Sequence, residues 1–526
     1  MQWRPNGDNM ILRYYQTERM GNPALKAFQK GSKSVAVIGP TGSGKTAFAA
    51  WWAQQAQKKN RNVLTLCHKQ IIQKQLRETF KLFGVITDEV SAGKKIYGHK
   101  IQVARIQSLM NRLDSIPVPD WIIGDEGHHW RENNMWGKAY RYYQKLNPDV
   151  KTVLLTATPN GRVDGMGLHP FADTMVNELS TEYLVNEGWL VYPHTMIGEK
   201  IETPKFHITG GDYDKDEQKK HFKKKHIIGS AIENYHQYMD GDPAIVSCVS
   251  LDHAHFMEEQ YNKAAREKGK SWKAVMIQGG KKYEKQMFDA LAGLSSGSVQ
   301  QIAFVDVLGE GVDVPACMGI QYMRKMMSYV LYKQFGGRTL RPIWPQWFDQ
   351  YNSTREERLQ VIRESSKPKA RIQDFAGNFE QHKHLMSDPQ WTLSDTRVKG
   401  KKGDQMVMPP VSVCPKCSGV WPGLPKTCPD CGYNLQEDRD RSEGRKPPKE
   451  IEGILREVMP GDTAPEVIQE MTQQALSLQS MTPGKRQKVM MSNLYRYGNS
   501  NRSRGLAAAV GYKKGWVNFM SRRLRK

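Results

Sequence analysis

The sequence predicts an α/β protein with two tandem parallel-sheet domains, a small cysteine-bearing module, and a basic, mainly helical C-terminal module. Three observations carry this. Short apolar runs bounded by turn residues alternate with amphipathic stretches as far as Met386, the rhythm of βαβ units whose strands are buried on both faces. That rhythm breaks once, at the polar segment Gly210 to Lys225, and then resumes. Beyond it, four cysteines fall within 18 residues, and the last 46 residues hold 12 Lys or Arg and no acidic residue.

In the first domain (1–200), Val35–Ile38, Val63–Leu66, Trp121–Ile123 and Val153–Leu155 are predicted strands. Between them, Ile71, Ile72, Leu76, Phe80 and Phe83 recur at helical spacing. The segment 210–225 has too few apolar residues to fold alone and reads as a linker or the start of a helix. In the second domain (201–395), Ala244–Val246, Ala274–Ile277 and Ile302–Val305 are predicted strands. Asp252–Lys268 and Glu284–Leu294 are the predicted helices between them. Two such domains leave a cleft, where ligands tend to sit. A cysteine module (405–436), a charged linker (437–450) and a basic tail (451–526) follow.

The 526 residues carry 77 Lys and Arg against 54 Asp and Glu, a net charge of +23 that favours a polyanionic partner, nucleic acid before an anionic membrane. No apolar run is long enough to span a bilayer, and the first residues lack the apolar core of a secretory signal. Cys67, Cys248 and Cys317 sit singly in apolar stretches and read as small core residues, so a reducing, cytoplasmic setting is expected.

Gly39-Pro40-Thr41-Gly42-Ser43-Gly44-Lys45-Thr46 fits G-x-x-x-x-G-K-[ST] between a predicted strand and a predicted helix. Glycines there let backbone N–H groups converge on phosphate oxygens, and the helix start adds positive potential. Lys45 is expected on the β- and γ-phosphates, and the Thr46 hydroxyl on Mg²⁺. The metal needs a carboxylate at the end of a buried strand, which Asp125 supplies after Trp121-Ile122-Ile123-Gly124. Glu126 is placed to position and activate the attacking water. ATP and Mg²⁺ are therefore the expected cofactors.

With Asp125-Glu126-Gly127-His128 and Thr156-Ala157-Thr158, this loop resembles motifs I, II and III of superfamily 2 helicases. Val307 to Pro315 is similar to motif V, Gln334-Phe335-Gly336-Gly337-Arg338-Thr339-Leu340-Arg341 to motif VI, and Leu12-Arg13-Tyr14-Tyr15-Gln16 to the adenine-reading motif. The resemblance implies two RecA-like domains closing on ATP, with Arg13 and Gln16 at the base and Gly311 and Asp313 by the ribose and phosphates. It assigns Arg338 and Arg341 as arginine fingers reaching across the cleft, a role worth ~10³–10⁵ in rate. His128, Thr156, Thr158 and Gln334 would couple ATP state to the nucleic-acid track. Within the superfamily the chain resembles RadD-type DNA helicases of bacteria and phages. They share the two motor domains, a segment like Ile372–Asn378 and a cysteine module beyond. Motif II departs from the commoner forms at Gly127, which leaves subfamily open but not ATPase chemistry. Trp344, Trp347 and Phe348 read as core packing, with base stacking the alternative.

Turns after strands suit sequence-independent backbone contacts, so His68, Lys69, Gln107, Ser108 and Ser250 are the expected nucleic-acid contacts of the two domains. In the tail, Lys513, Lys514, Trp516, Arg522 and Arg523 interleave charge with an aromatic ring, the pattern of a nucleic-acid-binding module. Cys414, Cys417, Cys428 and Cys431 form C-x₂-C-x₁₀-C-x₂-C, four thiolates suited to tetrahedral Zn²⁺ in a structural ribbon. The expected protein is an ATP-dependent DNA helicase or translocase acting on single-stranded, forked or branched DNA in replication, repair or recombination. Other replication or repair proteins are possible partners, in the cytoplasm of a bacterium or a phage-infected host. Three alternatives stay open: a duplex translocase or branch-remodeller that separates no strands, an ATP-gated clamp or recruitment protein, and an RNA helicase. No nuclease constellation is evident, so a restriction-type motor subunit would need a partner chain.

Overall fold

The computed structural model describes residues 10–159, 167–198, 206–209, 212–309, 314, 316–389, 391–394, 411–413, 420–422, 427, 434 and 455–458. The chain divides into two compact units, residues 1–407 with 451–457, and residues 408–450 with 458–526.

The larger unit holds two sheets. The first comprises β1 (Ser34–Ile38), β2 (Val63–Cys67), β3 (Thr87–Val90), β4 (Ile101–Arg105), β5 (Trp121–Gly124), β6 (Lys151–Thr156) and β7 (Thr174–Val176). Their order is β3-β4-β2-β5-β6-β1-β7, and the pairs are parallel. Each residue of β1 and β2 is buried, which is why both runs are apolar without alternation. The helix Lys45–Lys58 follows β1, and Gln70–Leu82 follows β2 at the periodicity read from sequence.

The second sheet begins with β8 (Tyr192–Gly198), on the N-terminal side of the division expected at residue 200. The segment expected as a linker or helix start forms a small hairpin, β9 (Ile208–Thr209) with β10 (Asp212–Tyr213), and then the helix Lys215–Phe222. Asp214 caps that helix by accepting from the N–H groups of Asp216 and Glu217. The sheet continues through β11 (Ala244–Ser247), β12 (Ala274–Ile277), β13 (Gln301–Phe304), β14 (Gly319–Tyr322) and β15 (Lys369–Asp374). Two short strands of the smaller unit, β16 (Val411–Val413) and β17 (Val420–Pro422), pair antiparallel, and Thr427 bridges Asn434. Finally β18 (Leu455–Val458) adds to the second sheet, whose order is β12-β13-β11-β14-β15-β8-β18. A strand thus opens the segment expected to be mainly helical.

Two crossings between the lobes are described before the chain rejoins the second sheet at β18. Outward it passes from β7 through the helix Thr181–Asn186 to β8. It returns after the helix Asn378–His382, where Trp391 and Leu393 pack on the apolar core of the first lobe. One buried cluster runs through both lobes, with Leu190, Val191, Leu340 and Leu385 in it, and Val191 N–H donates to Leu340 O at 2.8 Å. Trp189 anchors the same region: it is buried, packs at a tilt against Tyr15 at 5.3 Å between ring centroids, and lies under the Arg358 guanidinium at 4.0 Å. Cys67, Cys248 and Cys317 are buried, as small core residues should be. Trp347 corrects the expectation of core packing: it is 77% exposed, while Trp344 and Phe348 stack on each other at 5.0 Å.

A candidate nucleotide site between two lobes

Parallel neighbours bring the sequence motifs to one edge of the first sheet. Ile38 at the end of β1 is level with Thr156 at the end of β6, and Gly39 N–H donates to Thr156 O at 2.9 Å. One strand further, Asp125 N–H donates to Leu66 O at 3.0 Å, setting Asp125 where β5 ends. The loop from Gly39 turns into the helix through Gly44, whose φ of +79° is open to glycine at little cost. Lys45 Nζ donates to Gly39 O at 2.9 Å. Burial draws the Lys45 pKa down, opposed by Glu126 and then Asp125.

Two adjacent carboxylates on one buried edge strain each other. Asp125 is pushed up to about 7, first by burial and next by the charge of Glu126, with Lys45 pulling the other way. Glu126 itself has φ +50°, a left-handed conformation that costs a non-glycine residue on the order of 1–3 kcal/mol. Its Oε2 lies 3.4 Å from His128 Nδ1, and His128 Nδ1 lies 3.2 Å from Thr156 Oγ1. Thr158 N–H donates to that same Thr156 Oγ1 at 3.1 Å. The four residues Glu126, His128, Thr156 and Thr158 therefore form one chain of contacts from the acidic pair to the end of β6.

Gln16, expected at the adenine, contacts the phosphate loop. Its Nε2 donates to the carbonyls of Ser43 and Gly44, both at 3.0 Å, and its Oε1 accepts from Arg13 N–H at 2.9 Å. The side-chain amide thus braces the phosphate loop, with both ends engaged by backbone. Arg13 reaches the second lobe, donating from Nη2 to Gln350 Oε1 at 2.6 Å.

The second lobe presents the helix Tyr329–Arg338 to this loop. A β-carbon at Gly337 would lie 2.6 Å from Thr41 Cβ, so backbone of one lobe touches the phosphate loop of the other. Arg338 is buried and donates from Nη2 to Gly309 O at 2.7 Å and from Nε to Leu308 O at 3.3 Å. The positive charges of Arg338 and Arg341 both depress the Lys45 pKa, which places both guanidiniums within electrostatic reach of the phosphate site. Among the described residues, Ser43 Oγ, Thr158 Oγ1 and Gln334 Oε1 are buried side-chain oxygens that accept or donate no hydrogen bond. Orphaned polar atoms along this seam, beside two carboxylates and one lysine, suit a triphosphate with a divalent cation.

Cys67 is level with Arg105, so His68–Lys69 and Gln107–Ser108 follow neighbouring strands at one edge of the first sheet. Ser250 Oγ accepts from His253 N–H at 3.2 Å and so caps the helix Leu251–Glu267. Lys69 stands at the start of the helix Gln70–Leu82, and Gln107 and Ser108 in the short helix Ile106–Leu109. The rings of His68 and His129 lie 4.5 Å apart. Gly311 and Asp313 lie outside the described residues, as do Cys414, Cys417, Cys428, Cys431, Lys513, Lys514, Trp516, Arg522 and Arg523. Among the described residues no group of three or more His, Cys, Asp or Glu is arranged to hold a metal. No helix there is long and apolar enough to cross a membrane. Sequence reasoning missed Lys333, Asp388 and Thr181, which join the two lobes; the adjacent glycines Gly336-Gly337 were the available sign of a close contact.

Comparison with known proteins agrees with this geometry. The family described as type III restriction enzyme, res subunit, matches residues 9–161, the segment that carries motifs I to III. A 51.5 kDa protein of a Lactococcus phage (isolate 7-9) is 27% identical over 420 residues, 80% of this chain and 82% of the phage protein. The type I restriction enzyme EcoKI endonuclease subunit of Escherichia coli (strain K12) is 24% identical over 400 residues, 65% of this chain. The match spans only 34% of that subunit's length. The fragment structure of a putative HsdR subunit of a type I restriction enzyme from Vibrio vulnificus YJ016 shares the fold. Its TM-score is 0.52 at 20% identity, covering 74% of this chain and 68% of that one. The family match falls on the segment that carries the phosphate loop and the acidic pair, and the solved structure shares the paired-sheet fold.

Proposed function

We propose that the chain is a nucleic-acid-stimulated ATPase that moves on or remodels DNA. One observation carries this reading. The phosphate loop, the acidic pair Asp125–Glu126 and the arginine-bearing helix of the second lobe meet at a single seam, with Gly337 against Thr41. A triphosphate held there has Lys45 for its β- and γ-oxygens, Thr46 and Asp125 for Mg²⁺, and Glu126 for the attacking water. Mg²⁺ bound at that place would neutralise developing charge on the phosphates. Arg341, with Arg338, then completes the site from the second lobe. Hydrolysis becomes tied to lobe closure, because neither lobe holds the whole set.

DNA as the polymer is supported by the net charge of +23 and by the restriction-enzyme relatives. Those relatives also favour a second reading, translocation on duplex DNA without strand separation. The likeness to RadD-type helicases rests on the residues after motif VI and on the four-cysteine module, for which Zn²⁺ is the proposed ligand.

The test is a panel of single-stranded, duplex, forked and junction DNA, with RNA, scored for ATP turnover, unwinding and duplex-strand displacement. Stimulated turnover that Lys45→Ala abolishes is expected. A chain that hydrolyses no ATP, or is stimulated by no member of the panel, overturns the proposal. Zinc chelation should release one metal ion per chain and leave basal turnover intact.

A further inference from the structure

Two of the chain's crossings between the lobes, the outgoing one through Thr181 and the returning one through Asp388, meet the arginine-bearing helix at one buried ion pair. Lys333, on the helix Tyr329–Arg338, places Nζ 2.7 Å from Asp388 Oδ1. Asp388 lies on the returning crossing, and its Oδ2 accepts from the N–H of Thr181 at 2.6 Å while Oδ1 accepts from the Thr181 hydroxyl at 3.1 Å. Thr181 opens the helix of the outgoing crossing. Lys333 Nζ also donates to Thr181 Oγ1 at 3.4 Å, to Ser387 O at 3.3 Å and to Leu385 O. Both charged side chains are largely withdrawn from water, 10% exposed for Lys333 and 17% for Asp388.

Helical geometry gives this knot its consequence. Lys333 and Gly337 are four residues apart, so they share one face of their helix, and that face is the one turned to the first lobe. Gly337 abuts Thr41 of the phosphate loop, and Arg338 follows it. A small cavity lies between these points, lined by Thr41, Thr158, Thr181, Lys333, Gly337 and Asp388. The ion pair is therefore one link from both crossings to the arginine-bearing helix, beside the bond from Val191 N–H to Leu340 O.

We propose that Lys333 and Asp388 form a hinge pin that sets the arginine-bearing helix against the phosphate loop, making Lys333 a positioning residue for ATP hydrolysis. This rests on the ATPase reading above. Neither side chain reaches the reacting atoms; the pair acts through the placement of Arg338 and Arg341. A buried ion pair is a poor source of stability compared with an apolar pair of the same volume, but it fixes geometry.

The test uses the full chain with four variants: Lys333→Met, Lys333→Arg, Asp388→Asn, and Lys333→Met combined with Asp388→Asn. Steady-state ATP turnover, binding of a fluorescent ATP analogue and Tm are measured for each. Lys333→Met should lower kcat about tenfold or more with nucleotide affinity within about twofold of the parent. Lys333→Arg should recover part of that loss. Breaking the pair from one side leaves a buried charge and should lower Tm, so the double variant is decisive. Removing both charges should restore Tm towards the parent while turnover stays slow. A double variant with parental kcat, or a Lys333→Met whose loss lies wholly in nucleotide affinity, overturns the hinge-pin role. Absence of turnover in the parent chain would instead strike the ATPase reading itself.

Discussion

Gly337 of the second lobe sits so near Thr41 of the phosphate loop that a β-carbon added to it would come 2.6 Å from Thr41 Cβ and 2.8 Å from Thr41 Cγ2. The first lobe's phosphate loop and the second lobe's arginine helix thus share a surface with no room for one methyl group.

Gly337→Ala tests that surface by the sign of its effect. In an exposed helix the change would stabilise by roughly 0.5–1 kcal/mol. Here overpacking should cost about 1–3 kcal/mol and prise the seam apart. Turnover should fall about tenfold or more for 1.4 kcal/mol of lost closure, while nucleotide binding by the first lobe persists. Adding Thr41→Gly removes the opposing β-carbon and should restore part of the rate. Equal losses in the single and double variants would show that the two residues do not oppose each other.

How much of this was legible beforehand follows from the range of the interactions. The phosphate loop, Asp125 and the β1, β2, β5 and β6 strands are local patterns, and each stands where its sequence placed it. The bracing contacts of Gln16 were not legible, because its partners, the carbonyls of Ser43 and Gly44, are backbone atoms 27 and 28 residues away. No residue type announces such a partner. Trp347 misled in the opposite sense, since an indole normally signals burial, yet it stands 77% exposed beside a stacked Trp344–Phe348 pair. The Lys333–Asp388–Thr181 knot was illegible for the same reason as Gln16. Its members are separated by up to 207 residues and become neighbours only when two sheets pack.

Arg338 and Arg341 are each tested by replacement. Arg338 is tied to its own lobe through the carbonyls of Leu308 and Gly309, so Arg338→Ala should cost both turnover and stability. Two hydrogen bonds from a charged donor are worth roughly 1.5–3 kcal/mol each, which sets the scale of the expected drop in Tm. Arg341→Ala should abolish hydrolysis with ATP binding retained. Thermal melts alongside single-turnover hydrolysis decide it. Normal turnover in Arg341→Ala removes the finger assignment.

The acidic pair predicts a pH limb with a definite direction. Asp125 titrates near 7 in the folded chain against an ordinary value of 3.8, because burial and the charge of Glu126 favour its protonated form. Between those values the folded chain holds a proton that the unfolded chain has released, so this group's contribution to stability declines as pH rises from about 4 to 7. Metal binding runs the other way, since only the ionised carboxylate can take Mg²⁺. Affinity for an Mg²⁺-bound ATP analogue should fall as pH drops below about 7, approaching tenfold per pH unit. Glu126→Gln deletes the neighbouring negative charge and should move that limb to lower pH. Equilibrium binding of a non-hydrolysable analogue reads it without requiring turnover. A limb that stays in place, or moves to higher pH, in Glu126→Gln would mean that Glu126 does not set the ionisation of Asp125.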